Sequence, residues 1–153
     1  MTVHGYRSRV TWAGNTADGY DDYSRAHAAE APPATAGIAM SSDPAFLGDP
    51  AALNPEQLLL MAASSCQLLS FLARAARMRL EVTGYEDAAE ASMDMQDAPG
   101  RINRIVLRPR IKVAPGTDEG RVRKAIEGAH RDCFIANSLT SEMTIEPTIV
   151  SQA

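Results

Sequence analysis

The feature that most constrains this fold is a long apolar segment that begins at "NPEQ", residues 54–57. Asn54 is a favourable N-cap, Pro55 suits the first helical position, and Gln57 completes a variant of the capping box. From Leu58 to Met78 apolar residues fall on almost every face, which predicts a helix buried on all sides at the centre of the core. Three arginines near its end oppose the negative pole of the helix dipole: Arg74, Arg77 and Arg79.

Shorter segments on both sides of this helix have the patterns of strands. Residues 2–12 and 37–40 predict two strands, and residues 80–95 and 102–114 predict a two-stranded hairpin with one exposed face. Pro109 interrupts that hairpin, which indicates an edge strand or a bulge. Residues 143–150 predict one final strand.

A second amphipathic helix is predicted within residues 116–130, with Thr117 as its cap. Its apolar positions follow the i, i+3, i+4, i+7 pattern: Val122, Ala125, Ile126 and Ala129. In the next segment Asp132 can cap a short helix and place Cys133 in its first turn, where the dipole favours thiolate. The order of elements predicts one α+β domain over residues 1–153, with helices packed on antiparallel sheet.

Composition narrows the class of partner. The chain has 153 residues, 45% of them hydrophobic and 22% charged, and its formal charge of -4 leaves no basic surface for nucleic acid or an anionic membrane. The start lacks the apolar core of a signal peptide, and serines interrupt the longest apolar stretch. We expect a cytoplasmic protein.

The two cysteines, Cys66 and Cys133, allow several interpretations. Cys66 can be a small apolar residue that packs in a core helix, or a reactive thiol with Cys133 as its partner, since a reducing compartment favours a transient disulfide over a structural one. A metal site from both cysteines and His130 would lack closely spaced ligand pairs. A hydrolase with His130 as the base is a further alternative. We predict no metal and no cofactor.

Three segments resemble the OsmC and Ohr group, the osmotically inducible and organic hydroperoxide resistance proteins. They are "DPAFLGDPAALNPEQLLLMAASSCQLLSFL", "GYEDAAEASM" and "AHRDCFIANSL". The segments look most like the broader OsmC-like branch. The resemblance implies an α+β OsmC-like fold, with antiparallel sheets around a long buried helix. It also implies an intertwined homodimer with active sites at the interface.

The resemblance further implies a thiol peroxidase for organic or lipid hydroperoxides. Cys66 would become a sulfenic acid, and Cys133 would resolve it as an intrachain disulfide. Arg25 would activate the thiol, and Glu56 would orient Arg25. The reductant would be a dithiol, in the family often a lipoylated protein. The alternative is a stress-associated binding or redox-sensing protein with weakly reactive cysteines.

Two further expectations concern the site itself. Ten helical residues separate Glu56 from Cys66, about 15 Å at roughly 1.5 Å per residue, so Glu56 can serve the site only across a dimer interface. Four apolar side chains would line a pocket that favours organic hydroperoxides: Met61, Leu69, Phe71 and Phe134. Gln67 stands where relatives often have histidine, and the sequence gives no physical reason for that difference.

Overall fold

A computed structural model describes residues 2–96 and 99–151. These residues divide into two compact units, of which the first ends at Leu58 and the second begins at Leu59. The first unit holds an antiparallel sheet of three short strands, β1 (Arg9–Thr11), β2 (His27–Glu30) and β3 (Gly37–Met40). The predicted strand at residues 37–40 is confirmed.

The first helix, α1 (Pro55–Arg77), begins as the sequence predicts. The Asn54 side chain accepts a hydrogen bond from the backbone N–H of Gln57 at 2.8 Å, and the Gln57 side chain accepts one from the backbone N–H of Asn54 at 3.0 Å. This reciprocal pair satisfies two backbone donors at the helix start, and it confirms the predicted capping box.

The end of α1 is closed by a residue in the left-handed conformation. Arg79 has φ 55°, its N–H donates to Ala76 O at 3.0 Å, and the N–H of Leu80 donates to Ala75 O at 2.9 Å. These two bonds form a Schellman motif, and the buried Leu80 side chain completes it. The chain therefore turns sharply into the next strand.

The second unit holds six strands in two mixed sheets. The strands are β4 (Val82–Asp87), β5 (Glu90–Asp94), β6 (Arg101–Leu107), β7 (Pro109–Val113), β8 (Glu142–Ile145) and β9 (Thr148–Ser151). One sheet has the order β4-β7-β9 and the other β5-β6-β8. The pairs β4/β7 and β5/β6 are antiparallel, whereas β9 and β8 add in parallel to β7 and β6.

The prediction of a single two-stranded hairpin is therefore wrong in detail. Each predicted strand is divided in two, and the division in the second falls at Pro109, which has no N–H to donate. The neighbouring N–H of Arg108 donates to the side-chain carboxylate of Asp87 at 2.7 Å and not to a backbone oxygen of a paired strand. Pro109 begins the central strand of its sheet rather than an edge strand. The final segment is likewise two strands, β8 and β9, separated at Pro147. Two residues of the segment between β5 and β6 lie outside the described part of the chain.

The second helix, α2 (Glu119–Asp132), packs its predicted apolar face inward. Val122, Ala125, Ile126 and Ala129 are all buried, as the periodicity predicts. The cap is Asp118 rather than Thr117, because the Asp118 carboxylate accepts a hydrogen bond from the N–H of Arg121 at 3.1 Å. The α2 face, α1 and the β4-β7-β9 sheet share one core, in which Phe71 and Ile111 are fully buried.

The prediction that α1 is buried on every side is wrong for the single chain. Its inward residues are Ala63, Gln67, Phe71 and Ala75, which recur every fourth position and define one face. On other faces Leu69 is 63% exposed and Leu72 is 40% exposed. Among the described residues, α1 is the one helix whose length and composition would allow it to cross a bilayer, a property that core helices of soluble proteins share.

Candidate functional site

Cys66 lies in a cavity of about 490 Å³ along an outward face of α1. The lining residues are Ala62, Ser65, Cys66, Leu69, Ser70, Ala73, Arg74, Arg77, Asp132 and Phe134. Leu69 and Phe134 line it as predicted. Phe71 does not, because it belongs to the core on the opposite side of the helix, and Met61 is exposed and not part of the lining.

Cys133 is buried at the end of α2, and its position differs from the sequence prediction. Asp132 is the last residue of α2 rather than the cap of a new helix, and Cys133 is the C-cap, with φ −70° and ψ 113°. Its sulfur accepts a hydrogen bond from the N–H of Ala136 at 3.5 Å. The following residues form only a short 3₁₀ turn, Ala136–Ser138. The expected helix start at Cys133 is therefore absent.

The two thiols are hydrogen-bonded to each other, and the environment around Cys66 favours its thiolate. Burial acts to raise the pKa of Cys66, but hydrogen bonds from four donors lower it below its ordinary value. The donors are the Cys133 thiol, the backbone N–H groups of Ile135 and Phe134, and the Ser70 hydroxyl. This arrangement can hold a negative charge on the sulfur, as a reactive cysteine requires.

The pKa of Cys133, unlike that of Cys66, lies above its ordinary value. Burial raises the pKa of the Cys133 thiol, and so does its hydrogen bond to Cys66. The sequence prediction that a helix dipole favours a Cys133 thiolate is wrong, because Cys133 lies at the negative end of α2. The pair is therefore polarised: Cys66 loses its proton first, and Cys133 keeps its proton and donates the hydrogen bond.

Two arginines at the end of α1, predicted only to oppose the helix dipole, also line the Cys66 cavity. Arg74 forms an ion pair with Asp132, next to Cys133, and Arg77 lines the same cavity. The spacing already contained this signal, because Arg74 and Arg77 lie eight and eleven residues after Cys66, on the same side of the helix. Because cations are favourable at the end of any helix, the sequence offered no separate reason to place these arginines near Cys66.

Arg25 lies in the first unit, in a surface hollow of about 390 Å³ that Trp12, Tyr23 and His27 also line. Its guanidinium lies 3.8 Å from the Tyr23 ring centre and donates to the backbone oxygens of Tyr23 and Tyr20. Its Nε is buried and has no hydrogen-bond partner among the described residues. The aromatic stacking and the two carbonyl bonds fix the plane of the guanidinium.

Glu56 lies in the first turn of α1 and also belongs to the first unit. Within the described part of this chain, its carboxylate makes no hydrogen bond or ion pair, and no bond joins it to Arg25. Arg25 and Glu56 thus lie in one unit and the two thiols in the other.

His130 is half-buried, and its Nδ1 has no hydrogen-bond partner among the described residues. Residues 2–96 and 99–151 contain no group of three or more His, Cys, Asp or Glu side chains that could hold a metal ion.

Comparisons with known proteins identify the family and the fold of this chain. The family model for OsmC-like proteins matches residues 48–148. An OsmC-like protein of unknown function from Vibrio cholerae is 30% identical, with a TM-score of 0.82 over 97% of this chain and 100% of its own. No curated protein sequence gives a significant match.

Two more distant structures share the fold. An organic hydroperoxide resistance protein from Legionella pneumophila is 12% identical, with a TM-score of 0.69 over 97% of this chain and 98% of its own. One from Bacillus subtilis is 14% identical, with a TM-score of 0.65 over 96% of this chain and 98% of its own. At these identities the likeness concerns the fold alone.

Proposed function

Because the chain belongs to the OsmC-like protein family, we propose that it is a thiol peroxidase that reduces organic or lipid hydroperoxides. The observation that carries the proposal is the polarised pair of thiols. Cys66 has a lowered pKa and opens to a cavity, and the buried Cys133 is hydrogen-bonded to it. A packing cysteine needs neither the donors nor the second thiol.

The proposed reaction has two steps on the protein. The Cys66 thiolate attacks the hydroxyl oxygen of the hydroperoxide, the O–O bond breaks, and the alkoxide leaves as an alcohol after it takes up the proton that Cys66 lost. Cys66 is then a sulfenic acid. The Cys133 sulfur attacks the Cys66 sulfur, the S–S bond forms, the S–O bond breaks, and the hydroxyl group leaves as water with the Cys133 proton. A dithiol then reduces the disulfide and becomes a disulfide itself.

Arg25 and Glu56 are proposed as the charged residues that complete this site. A guanidinium stabilises both the thiolate and the developing alkoxide, and a carboxylate orients the guanidinium through a bidentate pair. The unpartnered Nε of Arg25 and the unbonded carboxylate of Glu56 support this role. About ten helical residues, or roughly 15 Å, separate Glu56 from Cys66, so the carboxylate has to come from a second copy of the chain.

We therefore propose an intertwined homodimer with active sites at the interface. The exposed apolar side chains of α1, Leu69 and Leu72, support it, because an uncovered apolar stripe on a core helix is costly in water. Light scattering should give the mass of two chains, and Leu72→Glu should shift the protein toward monomer. A monomeric wild type would contradict this part of the proposal.

The cavity and the composition support the remaining parts. Leu69 and Phe134 give the Cys66 cavity an apolar wall, which favours a hydroperoxide with an organic substituent over hydrogen peroxide. Proteins of this family are soluble, and we propose that this one acts in the cytoplasm, where dithiol reductants, including lipoylated proteins, regenerate the thiols.

Steady-state turnover of cumene hydroperoxide with dihydrolipoamide as reductant tests the proposal. We expect faster turnover of cumene hydroperoxide than of hydrogen peroxide, no turnover with Cys66→Ser, and a loss of roughly a hundredfold or more with Arg25→Ala. Arg123→Ala is the matched control, since Arg123 lies on the exposed face of α2 and should leave turnover unchanged. Unchanged rates in Arg25→Ala would remove Arg25 from the site.

The same assay separates the alternatives of different class. A redox sensor would form the Cys66–Cys133 disulfide once and turn over poorly. A binding protein with weakly reactive cysteines would not consume the hydroperoxide at all. The lowered pKa of Cys66 favours the peroxidase over the binding protein.

A further inference from the structure

Gln67, the residue directly after Cys66, is an unusual member of the α1 core face. The face consists of Ala63, Gln67, Phe71 and Ala75, and Gln67 is its only polar residue. It is 1% exposed, so both polar atoms of its amide are removed from water. An apolar side chain would fill this position without any loss of hydration.

The Gln67 amide makes one hydrogen bond, and that bond crosses from α1 to α2. Its Nε2 donates to the backbone oxygen of Ile126 at 3.3 Å, while its Oε1 has no hydrogen-bond partner among the described residues. Burial of two polar atoms with only one hydrogen bond between them lowers the stability of the fold, so stability does not account for this residue. The position of the bond suggests a different purpose.

The bond joins the two elements that carry the thiols. Gln67 is adjacent to Cys66 on α1, and Ile126 on α2 precedes Cys133, the C-cap of that helix, by seven residues. A rotation or slide of α2 along α1 would move the Cys133 sulfur away from the Cys66 sulfur. A directional amide bond resists such a slide, whereas apolar packing alone tolerates it.

A second contact holds α2 on α1 closer to Cys133. Arg74 pairs with Asp132, and its guanidinium crosses α2 over Gly128, where a Cβ would overlap it. Gly128 is buried, and its missing side chain makes room for this crossing. α2 is thus held near its centre by Gln67 and at its end by Arg74.

We infer that Gln67 is a positioning residue that sets the geometry of disulfide closure between Cys66 and Cys133. It acts on the second step, in which Cys133 attacks the oxidised Cys66 sulfur, and not on the first, in which Cys66 meets the hydroperoxide. The assignment of these two steps rests on the proposed function. The positions of Gln67, Cys66 and Cys133 in the structure do not depend on it. Gln67 therefore governs how long the sulfenic acid survives.

The test compares wild type with Gln67→Met, which keeps the chain length and removes the amide. Rapid quenching and intact mass after cumene hydroperoxide separate the two steps. We expect Cys66 oxidation within about twofold of wild type and disulfide closure slower by roughly tenfold to a hundredfold, because a small displacement of the attacking group has effects of that size. The variant should accumulate sulfenic acid and, with excess peroxide, sulfinic acid.

Ile111→Val is the control, since it weakens the same core without touching the bond between Gln67 and Ile126. Closure in Gln67→Met at the wild-type rate, or equal slowing in Ile111→Val, would overturn the inference. If Gln67→Met does not fold, Gln67→Leu takes its place, because it is also an apolar side chain that donates no hydrogen bond.

Closure in glutathione redox buffers is measured in parallel and needs no hydroperoxide. A wild type that ignores cumene hydroperoxide but closes the disulfide in glutathione would refute the proposed function alone. Gln67→Met should then still lower the effective concentration of Cys133 at Cys66 by about tenfold or more. An unchanged effective concentration would refute the role of Gln67.

Discussion

Removal of the Cys133 thiol should change the reactivity of Cys66 before any disulfide forms. Cys133 donates a hydrogen bond to Cys66, and this bond is the largest of the effects that lower the Cys66 pKa. Cys133→Ala removes the donor, whereas Cys133→Ser replaces it with a hydroxyl group that can also donate. Both variants lack the second thiol, so the comparison isolates the hydrogen bond.

The expected size follows from the energy of one such bond. A hydrogen bond to a charged group contributes about 1.5–3 kcal/mol, and a factor of ten corresponds to about 1.4 kcal/mol. Cys66 is only half-buried, a thiol is a weak donor, and three other donors remain, so we expect a contribution just below this range, about 0.7–1.4 kcal/mol. Alkylation of Cys66 in Cys133→Ala should slow by about threefold to tenfold at mildly acidic pH.

The assay is the rate of Cys66 alkylation by iodoacetamide as a function of pH, followed by intact mass. A lowered pKa means that thiolate persists to lower pH, so loss of the donor moves the midpoint of the curve to higher pH, and the curves converge in alkaline solution. Cys133→Ser should lie on the wild-type side of Cys133→Ala, because its hydroxyl group can still donate. Superposed curves for Ser and Ala would refute the assignment of Cys133 as a donor.

Three further predictions concern stability and are measured by urea denaturation. Arg79→Gly should stabilise the fold by about 0.5–1 kcal/mol, because the left-handed φ of 55° strains any residue with a Cβ; a loss of stability would contradict the strain. Asn54→Ala should destabilise it by about 1–2 kcal/mol through loss of the capping box, and a neutral effect would mean that water replaces the cap. Phe71→Ala should cost about 3–5 kcal/mol, since Phe71 is fully buried in the core; a cost below about 1 kcal/mol would show that the site collapses or is loosely packed.

Local signals in the sequence predicted several features that depend on neighbours in the chain, although the cap of α2 is Asp118 and not the predicted Thr117. The capping box at Asn54 and Gln57 and the apolar face of α2 were both predicted, because each is fixed by spacings of three or four residues. The division of the strands at Pro109 was not, since one proline fits an edge, a bulge or a strand start equally well. Pairing with a distant parallel strand, β9, made β7 a central strand.

Several residues of the site also depend on contacts with residues far away in the chain, which the sequence does not reveal. Asp132 can cap a new helix or end the preceding one, and its ion pair with Arg74, 58 residues earlier in the chain, accompanies the second outcome. Gln67 had no explanation in the sequence because the partner of its side chain among the described residues, the Ile126 oxygen, is 59 residues away. Arg74 was not predicted as a site residue for a different reason, since its interaction with the helix dipole already explained its position.

The central claim is that Cys66 and Cys133 are a reactive pair. Its most direct test is a thiol count and intact mass of the reduced protein before and after one equivalent of cumene hydroperoxide, with Cys66→Ser and Cys133→Ser alongside. We predict that wild type loses both thiols and about 2 Da, that Cys133→Ser gains one oxygen on Cys66, and that Cys66→Ser stays unchanged. Survival of both thiols in the folded wild-type protein would contradict the claim and leave Cys66 as a packing residue.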